Sequence, residues 1–235
     1  DHAMLALSEY GVAVANAVPM LKETADRTTA GDHGRGVVEI IDDLLSDDLA
    51  ESEQTVSRHG LLLGRRTNGE EVTLPFGRRN LLVAGTSGSG KSTLATGLLE
   101  RLGEQGYQLC VIDPEGDYDN VSQAVMLGTA QNGPSLTEIL TALANPQTDV
   151  VVNLVGLPLH DRPAFFLGLL HKILERRTAS GRPHWILIDE THHLLPRDGN
   201  PTASGLAHDS AGMIYVTVHP DQIDPAILKN SALID

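Results

Sequence analysis

Residues 85–93 read Gly85-Thr86-Ser87-Gly88-Ser89-Gly90-Lys91-Ser92-Thr93, and their types and spacing suit one kind of chemistry. They fill the pattern G-x-x-x-x-G-K-[ST], in which glycines let backbone N–H groups close around a chain of phosphates. The start of a following helix adds partial positive charge at the same place. Lys91 can reach the outer phosphates of ATP, and the Ser92 hydroxyl can hold Mg²⁺. Further on, Trp185-Ile186-Leu187-Ile188-Asp189-Glu190 is an apolar run ending in two carboxylates. Beside a phosphate loop, the first acid supports Mg²⁺, usually through a water. The second can polarise the water that attacks the γ-phosphate. Glu190 thus favours hydrolysis over transfer to an acceptor, because a kinase must protect ATP from water.

Two further polar positions accompany these acids. Thr217 and His219 end the apolar run 213–218, a natural place for side chains that sense the γ-phosphate. The competing reading is a turn entered through His219-Pro220, with His219 solvated. His192 and His193 follow Glu190 closely. Neighbours on a helix point about 100° apart, and no thiol accompanies them, so the sequence argues against a metal site there.

These residues need elements to carry them. Asn80-Leu81-Leu82-Val83-Ala84 predicts a buried strand leading into the phosphate loop, and Leu94, Ala95, Leu98, Leu99 and Leu102 share one face of the helix that follows. Buried strands are also expected over 108–112, 150–155, 185–188 and 213–218. A helix with Phe166, Leu169, Leu170, Ile173 and Leu174 on one face lies between the second and third of these, with Asp161 as its cap and Pro163 in its first turn. Near-continuous apolar strands alternating with helices imply an α/β fold with a mainly parallel sheet covered on both sides. Ligands of such sheets bind at the C-terminal strand ends, where the polar residues recur.

Three zones organise the chain: 1–46, with a strand-like stretch over 11–15; an acidic linker over 47–60; and the nucleotide-binding core over 61–235. The core opens on a small hairpin turning at Asn68-Gly69. The segment 31–36 reads as a glycine-rich loop with a helix after it and no strand leading into it. Hydrophobic residues make up 41% of the 235 residues and aromatics only 3%, so the core is aliphatic. The net charge of −14 argues against a broadly basic nucleic-acid surface; any DNA contact needs local basic loops or a ring-shaped assembly. Cys110 is the single cysteine, so no intrachain disulfide can form, which suits a reducing cytoplasm. No apolar run approaches a membrane span. The chain begins at Asp1 in what reads as the middle of a structural unit, and a fragment is expected.

The segment from Leu61 to Asp235 resembles the HerA/FtsK group of P-loop ATPases, closest to its HerA-like branch. Four stretches carry the likeness. They are the loop at 85–93, Asp113-Pro114-Glu115-Gly116-Asp117-Tyr118, Asp189-Glu190-Thr191-His192-His193-Leu194-Leu195-Pro196, and Thr217-Val218-His219-Pro220-Asp221-Gln222-Ile223-Asp224. The resemblance implies a RecA-like P-loop NTPase core, hexameric rings, and ATP-driven movement of double-stranded DNA or a related polymer. Two departures stand out. Val218 occupies the place of the family's sensor glutamine, and the segment between Leu195 and Met213 is short. The core is also expected to lack its last strand. An arginine acting from a neighbouring subunit would be one of Arg162, Arg176, Arg177 and Arg197.

Zone 1–46 has its own likeness. Asp1-His2-Ala3-Met4-Leu5, Gly11-Val12-Ala13-Val14-Ala15-Asn16-Ala17 and Leu21-Lys22-Glu23-Thr24-Ala25-Asp26 resemble the C-terminal end of a Cof-type haloacid dehalogenase (HAD) phosphatase, in which Asp1 would match a Mg²⁺-binding aspartate. That resemblance implies a parent protein that fuses a HAD-like domain to the ATPase. The remaining alternatives are a phosphatase of sugar phosphates or polynucleotide ends with a regulatory ATPase domain, and a P-loop kinase.

Overall fold

The computed structural model describes residues 4, 5, 8, 10–47, 49, 61–74, 80–119, 121, 123–199, 210–229 and 231–234. Contacts divide the chain into two units, Asp1–Gly77 and Arg78–Asp235. Asp1 and most of the acidic stretch 47–60 lie outside the described residues.

In the first unit, β1 (Val12–Ala13) pairs in parallel with β2 (Arg27–Thr28), and α1 (Pro19–Thr24) connects them, with its proline in the first turn. After β2 the chain turns into α2 (His33–Asp47). The expectation of a loop over 31–36 with no preceding strand is corrected. A strand does lead in, too short at two residues to leave an apolar run, and the helix already starts at His33. Gly36 serves packing: a Cβ there would come within 2.3 Å of Thr29 Oγ1 and 2.5 Å of the Gly31 carbonyl. From α2, Glu39 accepts hydrogen bonds from Ala30 N and Gly31 N, each at 3.0 Å, and pairs with Arg27 at 3.0 Å. The helix also carries Val37, Val38, Ile41, Leu44 and Leu45, which are 46–79% exposed. The hairpin expected at Asn68-Gly69 is present as β3 (Leu61–Arg65) and β4 (Glu71–Leu74), antiparallel, with Gly69 at φ 86°.

The second unit is built on seven parallel strands: β5 (Asn80–Ala84), β6 (Leu109–Asp113), β7 (Val125–Leu127), β8 (Val150–Asn153), β9 (Trp185–Ile188), β10 (Met213–Thr217) and β11 (Ser231–Ile234). Their order is β11-β5-β10-β9-β6-β8-β7, and every pairing is parallel. The helices are α3 (Lys91–Glu104), α4 (Leu136–Ala142), α5 (Arg162–Ser180), α6 (Thr191–Leu194) and α7 (Pro225–Lys229).

Aliphatic residues lead this fold because side chains alternate across a strand. Leu82, Cys110, Ile112, Val150, Val152, Ile186 and Ile188 form one buried cluster with Ile139 of α4 and Phe166, Leu169 and Ile173 of α5. The residues between them, such as Leu81, Val111, Val151 and Leu187, are buried as well. Helix α3 contacts β5, β6 and β10 and buries Ala95, Leu98, Leu99 and Leu102. The Cys110 thiol is fully buried, and that burial pushes its pKa up to about 12.

Two expectations are revised here. Asp161 does occupy the cap position of α5, but its side chain makes no capping hydrogen bond, because the residue is already helical at φ −89°, ψ −21°. The strand expected over 150–155 stops at Asn153, whose Oδ1 instead accepts from Val155 N at 2.9 Å and turns the chain. Ser231–Ile234 forms β11 and pairs with β5, a strand that the sequence reading did not place.

Candidate active site

Strand β10 lies between β5 and β9, so three strand ends converge. Thr217 is in register with Ala84, the last residue before the phosphate loop, and Tyr215 with Ile188, the last before the acids. The loop leaves β5 at Gly85 and reaches α3 through Gly88 at φ 76° and Gly90 at φ 95°. Both conformations are left-handed ones that side chains rarely adopt, and they turn the backbone around a hollow of about 380 Å³ lined by Gly85, Thr86, Ser89, Gly90 and Lys91. Lys91 bends back over this hollow, its Nζ donating to the Thr86 carbonyl at 2.8 Å. Ser92 and Thr93 stand in the exposed first turn of α3, whereas Gly85 is half-buried and Thr86, Ser87, Gly88, Ser89 and Gly90 are exposed.

At the end of β9, Asp189 is buried, and its pKa is raised to about 7 by that burial and by Glu190, Asp113 and Asp117. Glu190 has φ 43°, an uncommon left-handed backbone for a residue other than glycine, and it heads α6. Its carboxyl is pushed up by partial burial and by Glu115, and pulled down by His193, Lys91 and His219.

One side chain joins them that sequence reasoning did not assign to the reaction. His192 is buried; its Nδ1 lies 3.2 Å from Glu190 Oε2 and 3.1 Å from Thr217 Oγ1. Thr217 Oγ1 also accepts from His219 N at 3.0 Å. Burial, with His193 and His219 close by, lowers the His192 pKa to about 4, so the ring is neutral near pH 7. The geometric argument against a metal is revised as well. In the single turn of α6 the rings of His192 and His193 lie 4.1 Å apart, and ligand atoms of Glu190, His192 and His193 fall within 4.8 Å of one another. Helical angles describe where Cβ atoms point, and the freedom of long side chains brought the rings together.

Asp113 was legible only as part of a motif. It is fully buried, and its carboxylate accepts hydrogen bonds from Glu115, Gly116, Asp117 and Tyr118 N, which folds 113–118 into a tight cap over the end of β6. Two of the four arginines are used within the chain. Arg162 donates to the carbonyls of Leu157, Pro114 and Val155, and Arg177 to those of Pro183, Ala211 and His184. Arg176 Nε is buried, and Arg197 is exposed.

A phosphate loop, an adjacent strand with a polar end, and a third strand ending in two acids define a P-loop ATPase on an α/β sheet. Residues 62–214 match the AAA ATPase domain family, and the chain belongs to it. The fold is similar to that of the genome packaging NTPase B204 of Sulfolobus turreted icosahedral virus 2, with a TM-score of 0.50 and 18% identity over 65% of this chain and 70% of that one. It is also similar to VirB4 of Thermoanaerobacter pseudethanolicus, with a TM-score of 0.52 and 14% identity over 73% of this chain and 80% of that one. Identities this low speak to fold alone. Residues 1–41 match the haloacid dehalogenase-like hydrolases, so a HAD-like fragment precedes the ATPase. The chain is 50% identical over 46 residues to Phosphoglycolate phosphatase 2 of Saccharolobus solfataricus, which is 20% of this chain and 20% of that enzyme. The chain thus spans about a fifth of the length of that curated relative. Among the described residues, no helix is long and apolar enough to cross a membrane.

Proposed function

We propose that this chain is the ATP-hydrolysing core of a HerA-type, ring-forming cytoplasmic motor that acts on double-stranded DNA. The observation that carries this reading is the line of contacts from Glu190 through His192 to Thr217, which ties the hydrolytic acid to the strand beside the phosphate loop. Residues 85–93 cradle the phosphates, and Lys91 neutralises the outer two. A helix-start hydroxyl and a buried carboxylate are hard oxygen donors that fit Mg²⁺: Ser92 would hold it directly and Asp189 through a water, where it offsets charge on the phosphate oxygens. Glu190 accepts a proton from the attacking water as the bond to the γ-phosphorus breaks, and ADP leaves with the bridging oxygen. Thr217 and His219 sense whether the γ-phosphate is in place.

DNA as the polymer is supported by the HerA-like motifs and by the fold shared with a genome packaging NTPase. For an arginine acting on a neighbour's ATP in a hexameric ring, exposed Arg197 is the best candidate, because Arg162 and Arg177 already hold main-chain carbonyls. The test is phosphate release by the full-length protein with and without double-stranded DNA. DNA should raise turnover, and affinity for DNA should fall steeply with salt. Lys91→Ala should abolish ATP binding; equal affinity in this variant and the parent would sink the reading. Strict dependence on an added acceptor would favour a kinase instead.

A second reading concerns the whole parent protein. The match of residues 1–41 and the exposed apolar residues of α2 support a HAD-like phosphatase domain of which zone 1–46 is the C-terminal part, with Asp1 at its Mg²⁺ site. Full-length protein should then release phosphate from a sugar phosphate, and Asp1→Asn should abolish that release while ATP turnover persists.

A further inference from the structure

We propose that Glu190, His192 and His193 form a regulatory site for a Zn²⁺-like ion, and that occupation of this site switches ATP hydrolysis off. The proposal rests on the reading of Glu190 as the hydrolytic acid only for its consequence; the site itself stands on geometry. Two imidazoles and one carboxylate are a donor set that zinc favours. A tetrahedral ion with bonds of about 2.0–2.1 Å sets its ligand atoms roughly 3.3 Å apart. Glu190 Oε2 and His192 Nδ1 are already 3.2 Å apart, and the third ligand atom lies within 4.8 Å. His192 is held rigidly by burial, whereas His193 is exposed and free to turn onto the ion. Half of the site is thus built, and the other half moves.

The exchange balances simply. The neutral His192 ring carries a single proton; with that proton on Nε2, the Nδ1 lone pair takes the ion, and any proton held by the Glu190 carboxyl is released to solvent. The Glu190 carboxylate changes from an acceptor of water protons to a ligand. Nucleotide binding by the phosphate loop is left alone, so the expected signature is lost turnover with retained ATP affinity.

The experiment titrates full-length protein with Zn²⁺ alone in a calorimeter, then measures turnover in excess Mg²⁺ and ATP. One equivalent should bind, and turnover should fall at least about tenfold, recovering with a chelator selective for zinc over magnesium. In His193→Ala, zinc affinity should drop by about tenfold or more, the size typical even of a lost outer partner, and the fraction of turnover lost on adding zinc should shrink with it. Parent protein that binds no stoichiometric Zn²⁺ would overturn the site. So would equal binding, or equal inhibition, in His193→Ala, since the ion would then act on ATP or elsewhere. Stoichiometric, His193-dependent binding to a protein that never hydrolyses ATP would uphold the site and refute the role given to Glu190.

Discussion

Glu190 and His192 meet at the point where chemistry and burial conflict. Replacing Glu190 with glutamine keeps the shape and removes the proposed proton acceptor. ATP affinity should stay within a few-fold, while turnover falls by roughly a hundredfold or more, measured as phosphate release. His192 makes a separate prediction about stability. Its folded pKa of about 4 lies below the ordinary 6.5, so the unfolded chain takes up a proton in that window that the folded chain refuses. This contribution is complete above pH 6.5 and is lost as pH falls towards 4. Asp189 works in the opposite sense. Its pKa is raised to about 7, so its contribution is present at low pH and lost as pH rises through 7. Comparing parent with His192→Asn isolates the histidine: between pH 7 and pH 5 the urea midpoint of the variant should fall less, or rise more, than that of the parent.

Among the elements, those buried on both faces were the legible ones. β5, β6, β8, β9 and β10 write near-continuous aliphatic runs such as Leu81-Leu82-Val83-Ala84, because a parallel strand between helices has no solvent side. Edge strands escape this logic. β7 is three residues long with Val125 and Met126 41% and 37% exposed, so it writes no closed apolar run. In the site, the phosphate loop and Asp189-Glu190 were readable because their spacing is fixed by a ligand. The link through His192 was not, since it depends on β10 lying beside β9, a fact of sheet order that no local pattern contains. Arg177 of α5 was likewise hidden. It pins the carbonyls of Pro183, His184 and Ala211, next to the starts of β9 and β10, and burial lowers its pKa to about 10. Arg177→Met leaves those acceptors unpaired and should cost about 2–4 kcal/mol in denaturant unfolding.

At the scale of the whole molecule, two units with separate contacts should respond separately to nucleotide. ATP at a hundred times its dissociation constant adds about 2.7 kcal/mol to whatever unfolds with the binding site. That gain should appear in the unit Arg78–Asp235, followed by the fluorescence of Trp185, and vanish in Lys91→Ala. With a net charge of −14, the proposed contact with DNA would come from a small number of basic positions rather than from a general field. Under the proposed ring assembly, Arg197→Ala should leave ATP affinity unchanged and lower turnover, read by comparing turnover above and below the concentration at which rings would form.

The left-handed backbone at Glu190 carries a consequence for how this sequence can drift. A side chain held at φ 43° costs about 1–2 kcal/mol that glycine would not. Glu190→Gly should therefore recover part of that cost and yield a catalytically dead protein that resists unfolding better than its active parent. Loss of the acid at this position would thus stabilise a descendant relieved of ATP turnover.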